Sequence, residues 1–290
     1  MLKTAFTTAL LLTCFTAVFG QTKYLDRKTI DRITDSIETE GKRLYRSEWA
    51  SWYGTDIFRE KCADKRPLSA GYISYETPGG MYNIFYGKGE QPKVLCTIFF
   101  GNDFNQQKYT LDTVSRLFTA VEKEYFDIRT AAVKRMETDT IFKFYQNTSL
   151  NPVPIIYEGN KRVYVLTGTS QSGVVLFGND YLLRFNNQNE VASIKKLHNT
   201  LLVMKTGNAQ DSSRTTSSFH SHVEGNDPFM TATDICTMML YQHYTAWVTM
   251  AVISKDYMSS WDCEKRRLVI LTMEAWNRIN ADQKTRHPKQ

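Results

Sequence analysis

Residues 218–241 read SFHSHVEGNDPFMTATDICTMMLY. Side chains of an extended strand alternate between its faces, so His220 and His222 point one way while Phe219 and Ser221 point the other. Two imidazoles side by side on a strand make half of a tetrahedral metal site. Asp234 follows a dozen residues later, at the start of a strongly apolar run expected to be helical over 234–245. A carboxylate there completes a His2Asp set and leaves a fourth position for water, the arrangement of a catalytic zinc site. Asp234 also suits a helix N-cap, as do Thr231 and Thr233.

His220-Ser221-His222, followed by Pro228, Thr231 and Asp234, resembles the signature of the JAMM (MPN-type) metalloprotease family. In that family an HSH strand leads through a loop to a Ser-x-x-Asp step and a helix. The resemblance covers the C-terminal half of the chain. It implies that His220, His222 and Asp234 are zinc ligands, and that Thr231 stands where the family has an oxyanion-stabilising serine. The chain departs from the pattern at three places. Val223 replaces the proline after the second histidine, the gap to the aspartate is one residue longer, and threonine replaces serine, adding a methyl to the hydroxyl.

A metal-activated water needs a proton acceptor. The resemblance places it on a glutamate of an earlier strand edge, ahead of a glycine-bearing segment matched here by Val165-Leu166-Thr167-Gly168. Glu158 is the nearest candidate, with Glu190 and Glu224 behind it. Glu158-Gly159-Asn160-Lys161 reads equally as a hairpin turn. His198 and His243 receive no role in this reading, and His287 falls in the tail.

The chain opens with MLKTAFTTALLLTCFTAVFG. One lysine before an apolar run is the pattern of a bacterial secretory signal peptide over residues 1–20, which implies export to the periplasm or medium. Leu11-Leu12-Thr13-Cys14 approaches a lipobox, but threonine before the cysteine fits that pattern poorly. No second run reaches the length of a transmembrane helix. Beyond the signal, Cys62, Cys96, Cys236 and Cys263 remain, an even number that permits disulfides in three connectivities. There is no CxxC pair. Cys236 lies about 200° around the helix from Asp234, so it reads as a small buried hydrophobe and not as a ligand. A net charge of +6, with no basic helix or aromatic–basic interleaving, argues against nucleic acid as a partner.

Apolar spacing predicts a helix over 24–62, which Gly41 bends or divides. An antiparallel meander follows over 69–100 and a second helix over 109–137, with Leu111, Val114, Leu117 and Val121 on its buried face. Glu122 and Glu124 read as solvated surface. The polar, proline-bearing stretch 146–154 marks a domain boundary. Beyond it come strands, the HSH strand, the 234–245 helix, strands at 247–253 and 267–271, and a closing helix at 273–280.

The sequence pattern supports an α+β fold with a mainly antiparallel sheet. The expected organisation is a signal peptide (1–20), an N-terminal helix/meander domain (21–150), a metal-site domain (151–282) and a tail (283–290). For 151–282 the resemblance implies a JAMM-like, cytidine-deaminase-like mixed sheet flanked by helices. It further implies a zinc metallopeptidase or isopeptidase acting on a peptide or protein substrate. The competing expectation is a non-catalytic binding or scaffold module on the same fold.

Overall fold

The computed structural model describes residues 24–206, 217–222 and 227–286. The expected signal peptide, Val223, Glu224 and His287 lie outside the described residues. Helix α1 (Arg27–Lys61) starts at Asp26, whose carboxylate accepts from the Thr29 amide at 2.9 Å and satisfies one of the unpaired first-turn N–H groups. Its buried face carries Ile30, Leu44, Tyr45, Trp49, Ile57 and Phe58. Gly41 does not divide this helix, which runs unbroken from Arg27 to Lys61. A Cβ at Gly41 would lie 2.7 Å from the Ile235 Cβ and 3.1 Å from the Ala232 carbonyl, so the missing side chain lets a later helix (α3, below) lie directly against α1.

An antiparallel meander follows, in the order β1 (Ser69–Thr77), β2 (Gly80–Gly87), β3 (Val94–Gly101) and β4 (Tyr109–Asp112). The last strand corrects the helix expected from residue 109. Tyr109 to Asp112 pair with Phe100 to Thr97, and Val114 and Leu117, expected on a buried helical face, are exposed. Helix α2 (Ala120–Thr138) starts only where Thr119 and Glu122 form a reciprocal capping box, which satisfies two end groups at once. Glu122 is not solvated surface either. It is fully buried, accepts from Arg116 at 2.6 and 2.7 Å, from the Tyr75 hydroxyl at 3.0 Å and from the Thr119 amide at 2.8 Å. Four donors on one carboxylate offset the desolvation that burial costs.

A second antiparallel sheet has the order β5 (Thr148–Tyr157), β6 (Asn160–Thr169), β8 (Tyr181–Phe185) and β9 (Val191–Lys196). Strands β7 (Val174–Gly178) and β10 (Leu201–Lys205) pair separately. The stretch 146–154 is therefore mostly strand. Pro152 and Pro154 are accommodated because β5 is an edge, where missing N–H donors leave no ladder bond unmade. One buried cluster runs across it, from Ile30 and Phe100 through Val153 and Tyr164 to Met250 and Trp261. The two expected halves thus share a core.

The last sheet has the order β11 (Ser217–Ser221), β12 (Thr249–Ile253), β13 (Tyr257–Asp262) and β14 (Arg267–Thr272). β11 and β12 are parallel; the other pairs are antiparallel. Between β11 and β12 in the chain lies α3 (Ala232–Tyr241), shorter than expected because residues 242–244 tighten into a 3₁₀ turn. Ile235, Cys236, Met238 and Met239 are buried. Each of the larger three contributes roughly 1.5–3 kcal/mol by burial, so packing against α1 and the sheet fixes α3 more than its own length of ten residues does. Helix α4 (Met273–Arg286) closes the described chain. The molecule is α+β, with one parallel strand pair among the antiparallel sheets of the described residues.

Candidate metal centre

Parallel pairing holds the HSH strand in place. His220 stands opposite Val252, and the His222 amide continues the ladder by donating to the Ile253 carbonyl at 2.9 Å. The alternation expected of a strand is realised: the two Nε2 atoms face each other at 3.3 Å. Asp234 reaches the same place from α3. Thr231 is the N-cap, and Asp234 is the third helical residue. The Asp234 Oδ2 accepts from both the amide and the hydroxyl of Thr231, at 2.9 Å each, which locks the carboxylate and leaves Oδ1 without a hydrogen-bond partner.

A third histidine completes the cluster, and sequence reasoning missed it. His198 lies in the link between β9 and β10, anchored where the Leu197 amide donates to the Asp180 carbonyl at 2.8 Å. Gly178 makes room for that link. It has a φ of +87°, and a Cβ there would sit 2.3 Å from the Thr200 carbonyl and 3.3 Å from the His198 Cβ. His198 Nε2 lies 3.4 Å from Asp234 Oδ2, and His220 Nε2 lies 3.8 Å from Asp234 Oδ1. One ligand atom from each of His198, His220, His222 and Asp234 falls within 4.8 Å of all the others.

These spacings can be set against metal chemistry. Ligands about 2.0–2.2 Å from a tetrahedral ion are separated from one another by about 3.4 Å. Separations of 3.3, 3.4 and 3.8 Å lie near that edge length, the last two to different oxygens of Asp234, and the whole set falls within 4.8 Å. Both nitrogens of His198 and Asp234 Oδ1 are buried without hydrogen-bond partners. Buried polar atoms are normally paired, and a cation among them would satisfy His198 Nε2 and Asp234 Oδ1 together. The donor set of three imidazoles and one carboxylate suits a borderline divalent ion. The group can hold a metal ion.

Outer contacts orient the rings. His222 Nδ1 lies 2.7 Å from the Asp227 carbonyl, so that nitrogen donates and Nε2 is left with its lone pair toward the cluster. His198 Nδ1 faces Asp180 Oδ2 at 3.5 Å, while Asp180 Oδ1 accepts from the Thr167 amide at 3.2 Å. The electrostatics of the metal-free cluster follow. Burial pulls the His198 imidazole down, but Asp234 and Asp180 outweigh it and push its pKa up to about 10. Burial disfavours the Asp234 anion, yet His198 and the other two imidazoles hold its carboxyl well below the usual range. Burial lowers His220, with Asp234 opposing.

A cleft of about 460 Å³ opens onto His198, His220 and His222, beside Asn199, Thr200 and Ser221. Among the described residues, no carboxylate lines it. Glu158 sits in the β5–β6 hairpin turn with a φ of +48°, followed by Gly159 at +74°, the mirror-image turn that its alternative reading anticipates. Glu190 closes the exposed turn before β9, hydrogen-bonded to Asn186 at 2.9 Å. Thr231 is buried and directs its hydroxyl to Asp234. His243 is in the 3₁₀ turn at the other end of α3. Compared with known proteins, the chain matches no family model, no curated relative and no solved structure.

Proposed function

We propose that this chain is an exported zinc-binding module in which His198, His220, His222 and Asp234 together hold one ion. The observation that carries this reading is the meeting of four ligand atoms within 4.8 Å of one another, with Asp234 Oδ1 buried and without a hydrogen-bond partner. Four protein ligands describe a closed site, which contributes folding energy, whereas hydrolytic zinc sites keep a position open. The ion would tie together three segments distant in sequence: β11, the start of α3 and the β9–β10 link. The parallel β11–α3–β12 unit carrying the HSH strand and the aspartate supports a distant likeness to the JAMM fold.

The use of Thr231 to brace Asp234, rather than to face the cleft, favours the binding module over the peptidase. One observation supports the peptidase as a second reading: the cleft reaches three of the four candidate ligands. In that case His198, braced by Asp180, leaves the ligand set and serves as the proton acceptor.

Elemental analysis of the full chain separates these outcomes. About one zinc per chain is expected, lost in the His220→Ala/His222→Ala variant. His198→Ala should weaken zinc binding by at least tenfold if His198 is a ligand. Undiminished zinc affinity in His198→Ala, together with loss of a measured peptidase activity, would reverse the assignment. Zinc retained by the double variant would remove the site altogether.

A further inference from the structure

On the far side of α3 from the metal cluster, a groove of about 1070 Å³ runs between α1, the β1–β2 turn, the β3–β4 loop and the 3₁₀ turn after α3. The partly exposed rings of Trp52, Tyr53, Phe104 and Tyr244 line it, and those of Tyr45 and Trp49, nearly buried, back it. Trp49 packs against Tyr53 (centroids 4.8 Å apart), Phe100 and Phe104, and Tyr45 stacks on Phe104. At the rim Trp52 and Tyr244 lie nearly parallel, 10° between planes and 5.9 Å between centroids. Trp52 is 36% exposed and Tyr244 58% exposed. They come from elements almost 200 residues apart in the chain, so this pairing is a product of the tertiary fold.

Planar polar groups also line the groove: Glu76, Asn102, Asp103, Asn105 and Gln106. Most of the groove's charged side chains are already paired, although Arg266 also lines it with no ion pair among the described residues. Arg46 pairs with Glu76 at 2.5 Å, Lys42 with Glu38 at 2.5 Å, and Asp103 with Lys108 at 3.3 Å. Arg46 also hydrogen-bonds Asn102 at 3.1 Å and lies 4.8 Å over the Phe104 ring, while its Nε has no partner.

We infer that this groove binds a neutral oligosaccharide. A sugar ring has an apolar face of C–H bonds, which packs on an aromatic face, and an equatorial edge of hydroxyls, which pairs with amides, carboxylates and guanidinium groups. The partly exposed rings and the planar polar groups that line the groove supply both requirements. Exposed Trp and Tyr offer large contact area at little cost in side-chain freedom. A polyanion would call for several unpaired cations; with Lys42 and Arg46 paired, Arg266 is the one lining cation left without an ion pair among the described residues. A groove open along its length suits a chain of several sugars better than a single small molecule.

The test is titration of the full chain with three neutral hexasaccharides, a β-1,4-glucan, an α-1,4-glucan and a β-1,4-linked N-acetylglucosamine chain, read by calorimetry and tryptophan fluorescence. At least one should bind saturably, with a Kd that is insensitive to salt, and Trp52→Ala should weaken it tenfold or more. Tyr244→Ala provides a second variant at an exposed position, so a folding failure of the first leaves the inference testable. No saturable binding by any of the three overturns it, as does equal binding by both variants. Binding of unstructured peptides in the same groove without any of the sugars would also overturn it.

Discussion

His198 Nδ1 lies 3.5 Å from Oδ2 of Asp180, while the opposite nitrogen of the same ring faces Asp234 at 3.4 Å. One imidazole thus bridges two buried carboxylates, one within the ligand group and one behind it. A carboxylate behind a metal-bound histidine fixes the ring's orientation and raises its basicity. Asp180→Asn should therefore lower zinc affinity by about 10–100-fold, measured by competition with a chromophoric chelator. An unchanged affinity would show that Asp180 plays no part in orienting His198.

The same geometry sets the pH dependence of metal uptake. His198 titrates at about 10 without metal, raised by Asp234 and Asp180 against the opposing effect of burial. It is therefore protonated at neutral pH and must lose that proton to become a ligand. Zinc uptake near pH 7.5 should release about one proton per ion from this group, and affinity should rise with pH until His198 titrates. Proton release in weak buffer measures this directly, and uptake without release would exclude His198 from the ligand set.

Gly41 offers a test of how α1 positions the centre. Alanine is the better helix former by about 1 kcal/mol, so Gly41→Ala in an isolated helix would stabilise. Here the new Cβ meets the Ile235 Cβ at 2.7 Å and the Ala232 carbonyl at 3.1 Å, and neither is the far end of a flexible side chain. Overpacking of this kind costs about 1–3 kcal/mol. The variant should melt at lower temperature and, because Ala232 begins the helix that carries Asp234, bind zinc more weakly. A raised Tm would refute this account of the contact.

Cys62 and Cys96 lie with their sulfurs 3.7 Å apart, at the end of α1 and in β3. Burial, with Cys62 beside it, pushes the Cys96 thiol up to about 12, so thiolate is scarce and the folded protein should oxidise slowly. Refolding with oxidised glutathione should join the two. The thiols lose two protons and two electrons, two molecules of glutathione form, and the chain becomes about 2 Da lighter. The bridge should add about 2–4 kcal/mol of stability, while Cys236 and Cys263 remain open to alkylation after unfolding. Recovery of Cys62 and Cys96 as free thiols would show that the pair does not close.

Local pattern made part of this molecule legible. Alternation over 219–222 put both imidazoles on one side, and the apolar run after Asp234 announced the helix, because strand and helix periods depend only on neighbours along the chain. The α+β class followed from the same periodicities. Thr119 and Glu122 form a capping box that could have placed the start of α2, yet apolar spacing upstream suggested a longer helix. Tertiary structure decided the rest. Nothing adjacent to His198 distinguishes it; it joins the cluster because the β9–β10 link packs over Gly178 and beside Asp180. Glu122 is buried because Arg116 and Tyr75 converge on it, and Trp52 meets Tyr244 although the two are far apart in the chain. Residues distant in sequence become neighbours only through the packing of complete elements, so their shared chemistry carries no short-range signature.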